Sequence, residues 1–160
     1  MVNIRLIVVG KLKEKYHKDE VDEYLKRLSK YAKVSVIEVN EEKIKDNSSL
    51  KEDELIIYKE GQNILKYINE KDYVFLLDLH GQEIDSLSFS QKLDRIMTEG
   101  YSNIDFVIGG SLGVSDELRK ISKFKLKLSP MTFTHQMTRI IILEQIYRAF
   151  KINNNETYHK

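Results

Sequence analysis

Residues 128–139 read LSPMTFTHQMTR and hold the only proline of the chain, two of its four methionines, three threonines, a histidine and an arginine. His135 and Arg139 stand one turn apart on the same side of a predicted helix start. A histidine at the positive end of a helix dipole is biased toward its neutral form, and so toward accepting a proton. An arginine beside it can hold phosphate or a developing oxyanion. Pro130 removes a backbone donor and stiffens the turn, which leaves the amides and carbonyls of Leu128, Ser129, Met131, Thr132 and Phe133 without ladder partners. Such a loop can present hydrogen bonds to a planar base. Taken alone, the pattern also fits a surface histidine.

A second stretch, FVIGGSLGVSDEL at 106–118, reads as a strand, a glycine turn and a capped helix start. Ligands of α/β sheets bind where the carboxyl ends of strands open onto a crevice, and glycines there let the main chain approach closely. The spacing is GGxxG after the fourth strand, so it is neither the GxGxxG dinucleotide fingerprint nor a Walker A loop. The first strand ends in Gly10 alone, without a glycine-rich nucleotide loop. Gly109, Gly110 and Gly113 by themselves fit an ordinary tight turn as well as a ligand loop.

The elements that must position these segments alternate along the chain. Val2–Val9, Val34–Val39, Tyr73–Leu79, Ile104–Ile108 and Lys123–Leu128 read as strands, the third interrupted only by Asp78. Helices are predicted over Glu14–Tyr31, from a Ser49/Glu52 capping box to about Ile68, from a Ser88/Gln91 capping box to Thr98, briefly behind Ser115, and from His135 to about Ile152. Asn40–Ser49 is polar and reads as a loop. The alternation predicts a single α/β domain over residues 1–160 with a largely parallel sheet flanked by helices. The last helix is apolar on more than one face, which predicts that Ile142 or Leu143 meets a second subunit; the alternative is burial against a helix of its own chain. Glu144 and Arg148 supply an i, i+4 pair on its polar remainder.

At 160 residues the chain can bury about 70% of its unfolded surface. Hydrophobic residues at 41% and charged residues at 32% exclude a disordered composition. The lack of cysteine excludes disulfides, thiolate nucleophiles and Cys-ligated metal, and fits a reducing cytosol. The N-terminal apolar run Ile4–Val9 is too short for a signal sequence or a membrane span, so a cytoplasmic location is expected. A net charge of +1 gives no global attraction to a polyanion. Local lysines cluster at 10–18 and at 122–129, the second placing Lys123, Lys125 and Lys127 on one face of a strand.

FVIGGSLG, LSPMTFTHQMTR, LEQIYRAFKI and the terminal YHK, in this order and with the opening IRLIVVGKLKEKY, resemble the small SPOUT-class methyltransferases that methylate a pseudouridine at ring N3 in large-subunit (23S) ribosomal RNA. The resemblance spans the chain. It implies a C-terminal trefoil knot, a homodimer, and S-adenosylmethionine held by Leu77, Gly109 and the stretch Leu128, Ser129, Pro130, Met131, Thr132 and Phe133. With a near-neutral charge and no separate RNA-binding domain, recognition is expected to need the assembled ribosome and both subunits of the dimer, and neither metal nor membrane is expected. His135 is the expected general base with His159 as rival, Arg139 the phosphate or oxyanion partner, and Tyr158 a substrate contact. Where the family commonly has a glycine before its terminal Tyr-His, this chain has Asn153-Asn154-Asn155; asparagine tolerates the left-handed conformation, so the turn is expected to survive. A ribosome-binding protein without activity, or a methyltransferase for another RNA base, are the alternatives.

Overall fold

The computed structural model describes residues 1–160. The elements are β1 (Asn3–Val9), α1 (Lys15–Leu28), β2 (Lys33–Val39), α2 (Leu50–Leu65), β3 (Tyr73–Gln82), α3 (Ser86–Thr98), β4 (Asn103–Ile108), α4 (Asp116–Ile121), β5 (Phe124–Leu126) and α5 (His135–Asn153). Five strands form one sheet in the order β2-β1-β4-β3-β5, and every pairing is parallel. Parallel strands need helical crossovers, which cover both faces and explain the apolar runs. Leu6, Val8, Phe75 and Phe106 face α1, α3 and α5, with the rings of Phe75 and Phe106 stacked at 4.6 Å. Ile7, Val9, Val74 and Val107 face the opposite layer, where Ile64 of α2 and Leu118 of α4 close the second core.

Three expectations are corrected. Helix α3 begins three residues earlier than its Ser88/Gln91 pattern predicted, because Asp85 is the N-cap and its carboxylate accepts the Ser88 amide at 2.7 Å. The fifth strand is three residues long instead of six, so Lys123 and Lys127 flank it. Ile142 and Leu143 do not wait for a second subunit: both are fully buried in the single chain. Helix α5 lies between α1 and α3 over the sheet, which accounts for its two apolar faces.

Two local features shape the site. Strand β3 bulges after Leu77 and rejoins β5 at Gln82, so residues 78–81 leave the ladder. Gly81 permits this, since a Cβ there would lie 2.6 Å from the Lys125 carbonyl oxygen. At the other end of the chain, α5 stops in a Schellman turn, with the Glu156 amide donating to the Lys151 carbonyl at 2.9 Å and the Asn155 amide to Ile152 at 3.1 Å. Asn155 takes φ +54°, so an asparagine does here what a glycine would.

Candidate functional site

The carboxyl ends of β3, β4 and β5 open onto a cavity of about 350 Å³. Leu77 enters it from β3, Gly109 from the turn after β4, and Leu128, Ser129, Met131, Thr132 and Phe133 from the loop before α5. Pro130 is an exposed residue within that loop, outside the cavity wall. The amides of Leu128, Ser129, Thr132 and Phe133 donate to nothing in the chain, and the Met131 amide is taken by Ser129 Oγ at 3.0 Å. Gly109, in the same lining, is packed so tightly that a Cβ would fall 2.6 Å from Val114 Cγ1 and 2.9 Å from the Gly113 carbonyl oxygen. The cavity is thus lined partly by apolar side chains and partly by backbone of the glycine turn and of the loop before α5.

His135 is the first residue of α5 and its ring stands at the cavity wall. Thr134 caps the helix by accepting the Met137 amide at 3.2 Å. Partial burial pulls the pKa of His135 below its usual 6.5, with Glu41 acting weakly in the other direction, so the ring is neutral and free to accept a proton at physiological pH. Arg139 follows one turn later, but its guanidinium turns inward, 4% exposed, onto Glu38 at 2.8 Å and the Gly10 carbonyl at 3.3 Å. Its Nε is buried without a partner, and the residue does not line the cavity. Within one subunit the expected phosphate contact is therefore spent on tying α5 to the ends of β1 and β2.

Tyr158 and His159 are ordered but elsewhere. Their anchor, Arg148, lies thirteen residues beyond His135, about 20 Å along the helix axis. The Tyr158 hydroxyl donates to Glu144 Oε1 at 3.1 Å, its ring packs edge-on to Tyr147 at 5.0 Å, and the Arg148 guanidinium sits 4.8 Å from its centre. Burial and the neighbouring Glu144 push the Tyr158 phenol up to about 12. Arg148 Nη1 meets His159 Nδ1 at 3.0 Å; a guanidinium only donates, so that nitrogen is placed to accept. Glu144, read from the sequence only as one half of a helix pair, is the hub of this cluster.

Asp78 and Arg119 also line the cavity and were missed as site residues, although Asp78 was visible as the one polar interruption of an apolar strand. Lys11, Lys13, Lys15 and Lys18 are exposed around the start of α1, and the His17 ring contacts Gln136 at 3.0 Å, which brings that basic segment beside His135. Lys123 and Lys125 are exposed on the sheet edge, while Lys127 pairs with Glu83 at 3.8 Å. No group of three or more potential metal ligands exists, and no helix is long and apolar enough to cross a membrane.

The parallel sheet with this cavity at its strand ends belongs to a defined class of α/β proteins. The chain matches the family described as "Predicted SPOUT methyltransferase" over residues 2–159, and it belongs to that family. It is 52% identical over 159 residues to the ribosomal RNA large subunit methyltransferase H of Clostridium acetobutylicum, covering 99% of this chain and all of that protein. The protein of the same name from Clostridium kluyveri is 53% identical over the same span. In fold, the chain is similar to a probable methylase family protein from Haemophilus influenzae (TM-score 0.52, 13% identity, 98% of this chain and 70% of that one). It is also similar to the tRNA (m1G37) methyltransferase of Aquifex aeolicus (TM-score 0.51, 13% identity, 91% and 69%).

Proposed function

We propose that this protein is an S-adenosylmethionine-dependent methyltransferase of large-subunit ribosomal RNA, acting at N3 of a pseudouridine in the assembled ribosome, in the cytoplasm, as a homodimer. The observation that carries the reading is that Gly109 and residues Leu128, Ser129, Thr132 and Phe133, whose amides have no partner in the chain, line one cavity at the strand ends. Those amides would hold the adenine edge, with Leu77, Met131 and Phe133 on its faces, and Pro130 would keep the loop rigid. The names of the full-length relatives support ribosomal RNA as the substrate class. When bound, the donor supplies an activated methyl group.

The chain's own part is to orient the base and to remove the N3 proton, because a ring nitrogen bearing hydrogen is a poor nucleophile until the proton leaves. His135 is neutral and stands at the wall of the cavity, so it is the base of choice within one subunit. Tyr158 and His159 are held at the far end of α5 and reach a cavity only if a second subunit supplies it. The exposed apolar side chains of Leu79, Met131, Phe133 and Met137 support a second copy seated over the mouth, in place of the buried Ile142 and Leu143. The trefoil knot implied by the resemblance would wrap residues 78–82 and 127–133 around the donor. The lysines at 11–18 and 123–125 would meet phosphate, and with a net charge of only +1 they favour a folded ribosomal surface over free RNA.

The test is methyl transfer from labelled S-adenosylmethionine to ribosomes, isolated subunits and naked transcripts, followed by mapping of the product nucleoside. Methylated pseudouridine in ribosomes alone is the expected result. Labelling of a different base, or of naked RNA at an equal rate, overturns the corresponding part of the reading.

A further inference from the structure

The cavity wall contains one carboxylate. Asp78 stands where β3 leaves the ladder, directly after Leu77, and its side chain is only 4% exposed. One of its oxygens accepts the His80 amide at 3.0 Å, which fixes the carboxylate plane. The other faces Arg119 Nε at 3.4 Å, a long contact for an ion pair of this kind. Arg119, on α4, is about one-third exposed and is steadied from outside by Asp116 at 3.1 Å. The other ionisable groups of the wall are His80, Lys127 and His135.

A nearly buried carboxylate is costly unless its remaining acceptor capacity is used. Here two bonds are made, one of them stretched, and the residue lines the cavity at the strand ends. A carboxylate and a guanidinium held side by side form the complement of an α-amino acid, whose ammonium and carboxylate are likewise adjacent. Resting on the methyl-donor reading above, we infer that Asp78 and Arg119 receive the amino-acid end of the donor, Asp78 taking the ammonium and Arg119 the carboxylate. They would thereby favour ligands that carry that end over bare adenosine thioethers. The pair is a binding and positioning device and takes no part in proton transfer.

Titration calorimetry with two probes tests this without turnover. S-adenosylhomocysteine carries the amino-acid end, and 5′-methylthioadenosine has the same adenosine and thioether without it. The unmodified protein should bind the first at least about 10-fold tighter, the scale of one charge-assisted hydrogen bond. Asp78→Asn keeps the acceptor for the His80 amide and should weaken S-adenosylhomocysteine about 10-fold or more while moving methylthioadenosine less than about 2-fold. Arg119→Met, at a more exposed site, should weaken the first probe about 3-fold or more and spare the second. Equal binding of both probes by the unmodified protein, or equal weakening of both in Asp78→Asn, overturns this inference and leaves the donor cavity standing. Failure of the unmodified protein to bind either probe overturns the cavity reading together with it.

Discussion

At its N-terminal end α5 meets a loop whose amides at Leu128, Ser129, Thr132 and Phe133 donate to nothing, beside exposed Met131 and Phe133. At its C-terminal end Glu144, Arg148, Tyr158 and His159 are bonded to one another and the last carbonyls are closed by a Schellman turn. One end holds unspent hydrogen-bonding capacity around a hollow, and the other has spent its capacity on itself. Amides on half-exposed and exposed residues stay open to solvent or to a ligand, so the first end is the one that can still form hydrogen bonds outward. The second is built to hold a short tail in a defined shape.

The contrast breaks most sharply at Gly109. Gly109→Ala places a methyl group against Val114 and the Gly113 carbonyl, where only backbone movement makes room. It should lower donor affinity by about 100-fold and stability by about 1–3 kcal/mol, the usual range for overpacking, measured by calorimetry and thermal melting. An unchanged affinity would mean that the glycine turn is no part of the cavity floor.

His135→Ala should leave donor affinity unchanged and slow methyl transfer by about 10² to 10⁴, the range for loss of a general base. Because burial lowers its pKa, the neutral form persists below the usual 6.5. The acid limb of the pH–rate profile should then lie below pH 6.5 and vanish in the variant. A wild-type rate would hand the role to His159. At the opposite end, Tyr158→Phe deletes the bond to Glu144 and should cost about 10-fold in rate at saturating donor, roughly the worth of one such bond, with no change in donor binding. A loss of donor affinity in Tyr158→Phe would erase the division between the two ends.

Much of this was legible beforehand. Apolar runs and capping residues fixed the order of elements because parallel strands buried on both faces leave a strong pattern, whereas the residues expected to hold the donor came from the family resemblance, because they lie on three separate segments. What was not legible depends on partners distant in sequence. Arg139 shares a helix face with His135, yet its guanidinium is captured by Glu38, about one hundred residues earlier. Ile142 and Leu143 looked surplus to one subunit because no local pattern shows that α1 and α3 flank α5. Asp78 stood out in its strand, but its meaning required Arg119 from another element.

A third place, neither end of α5, supplies the control. At the amino ends of the strands Arg5 bridges Asp105 at 2.8 Å and Asp72 at 2.8 Å, both carboxylates almost fully buried. Burial pushes the Asp105 carboxyl up to about 7, against the pull of Arg5. Burial also opposes ionisation of Asp72, but hydrogen bonds from Asp105, Asn69 and Asn103 prevail and hold it below the usual range. Between the ordinary carboxylate value near 4 and about 7, the folded chain keeps a proton on Asp105 that the unfolded chain has released. The stability this group contributes is therefore present in acid and lost as pH rises through about 7. Asp105→Asn keeps an acceptor for Arg5 and a donor for Asp72, so it should flatten the fall in melting temperature between pH 5 and 7.5 relative to wild type, by about three degrees per unit. Donor affinity and the pH–rate profile should stay as they were, since ligands of parallel sheets bind at the carboxyl ends of the strands. A shift in either would mean that the two ends of the sheet are coupled, and that the division drawn along α5 continues through the strands beneath it.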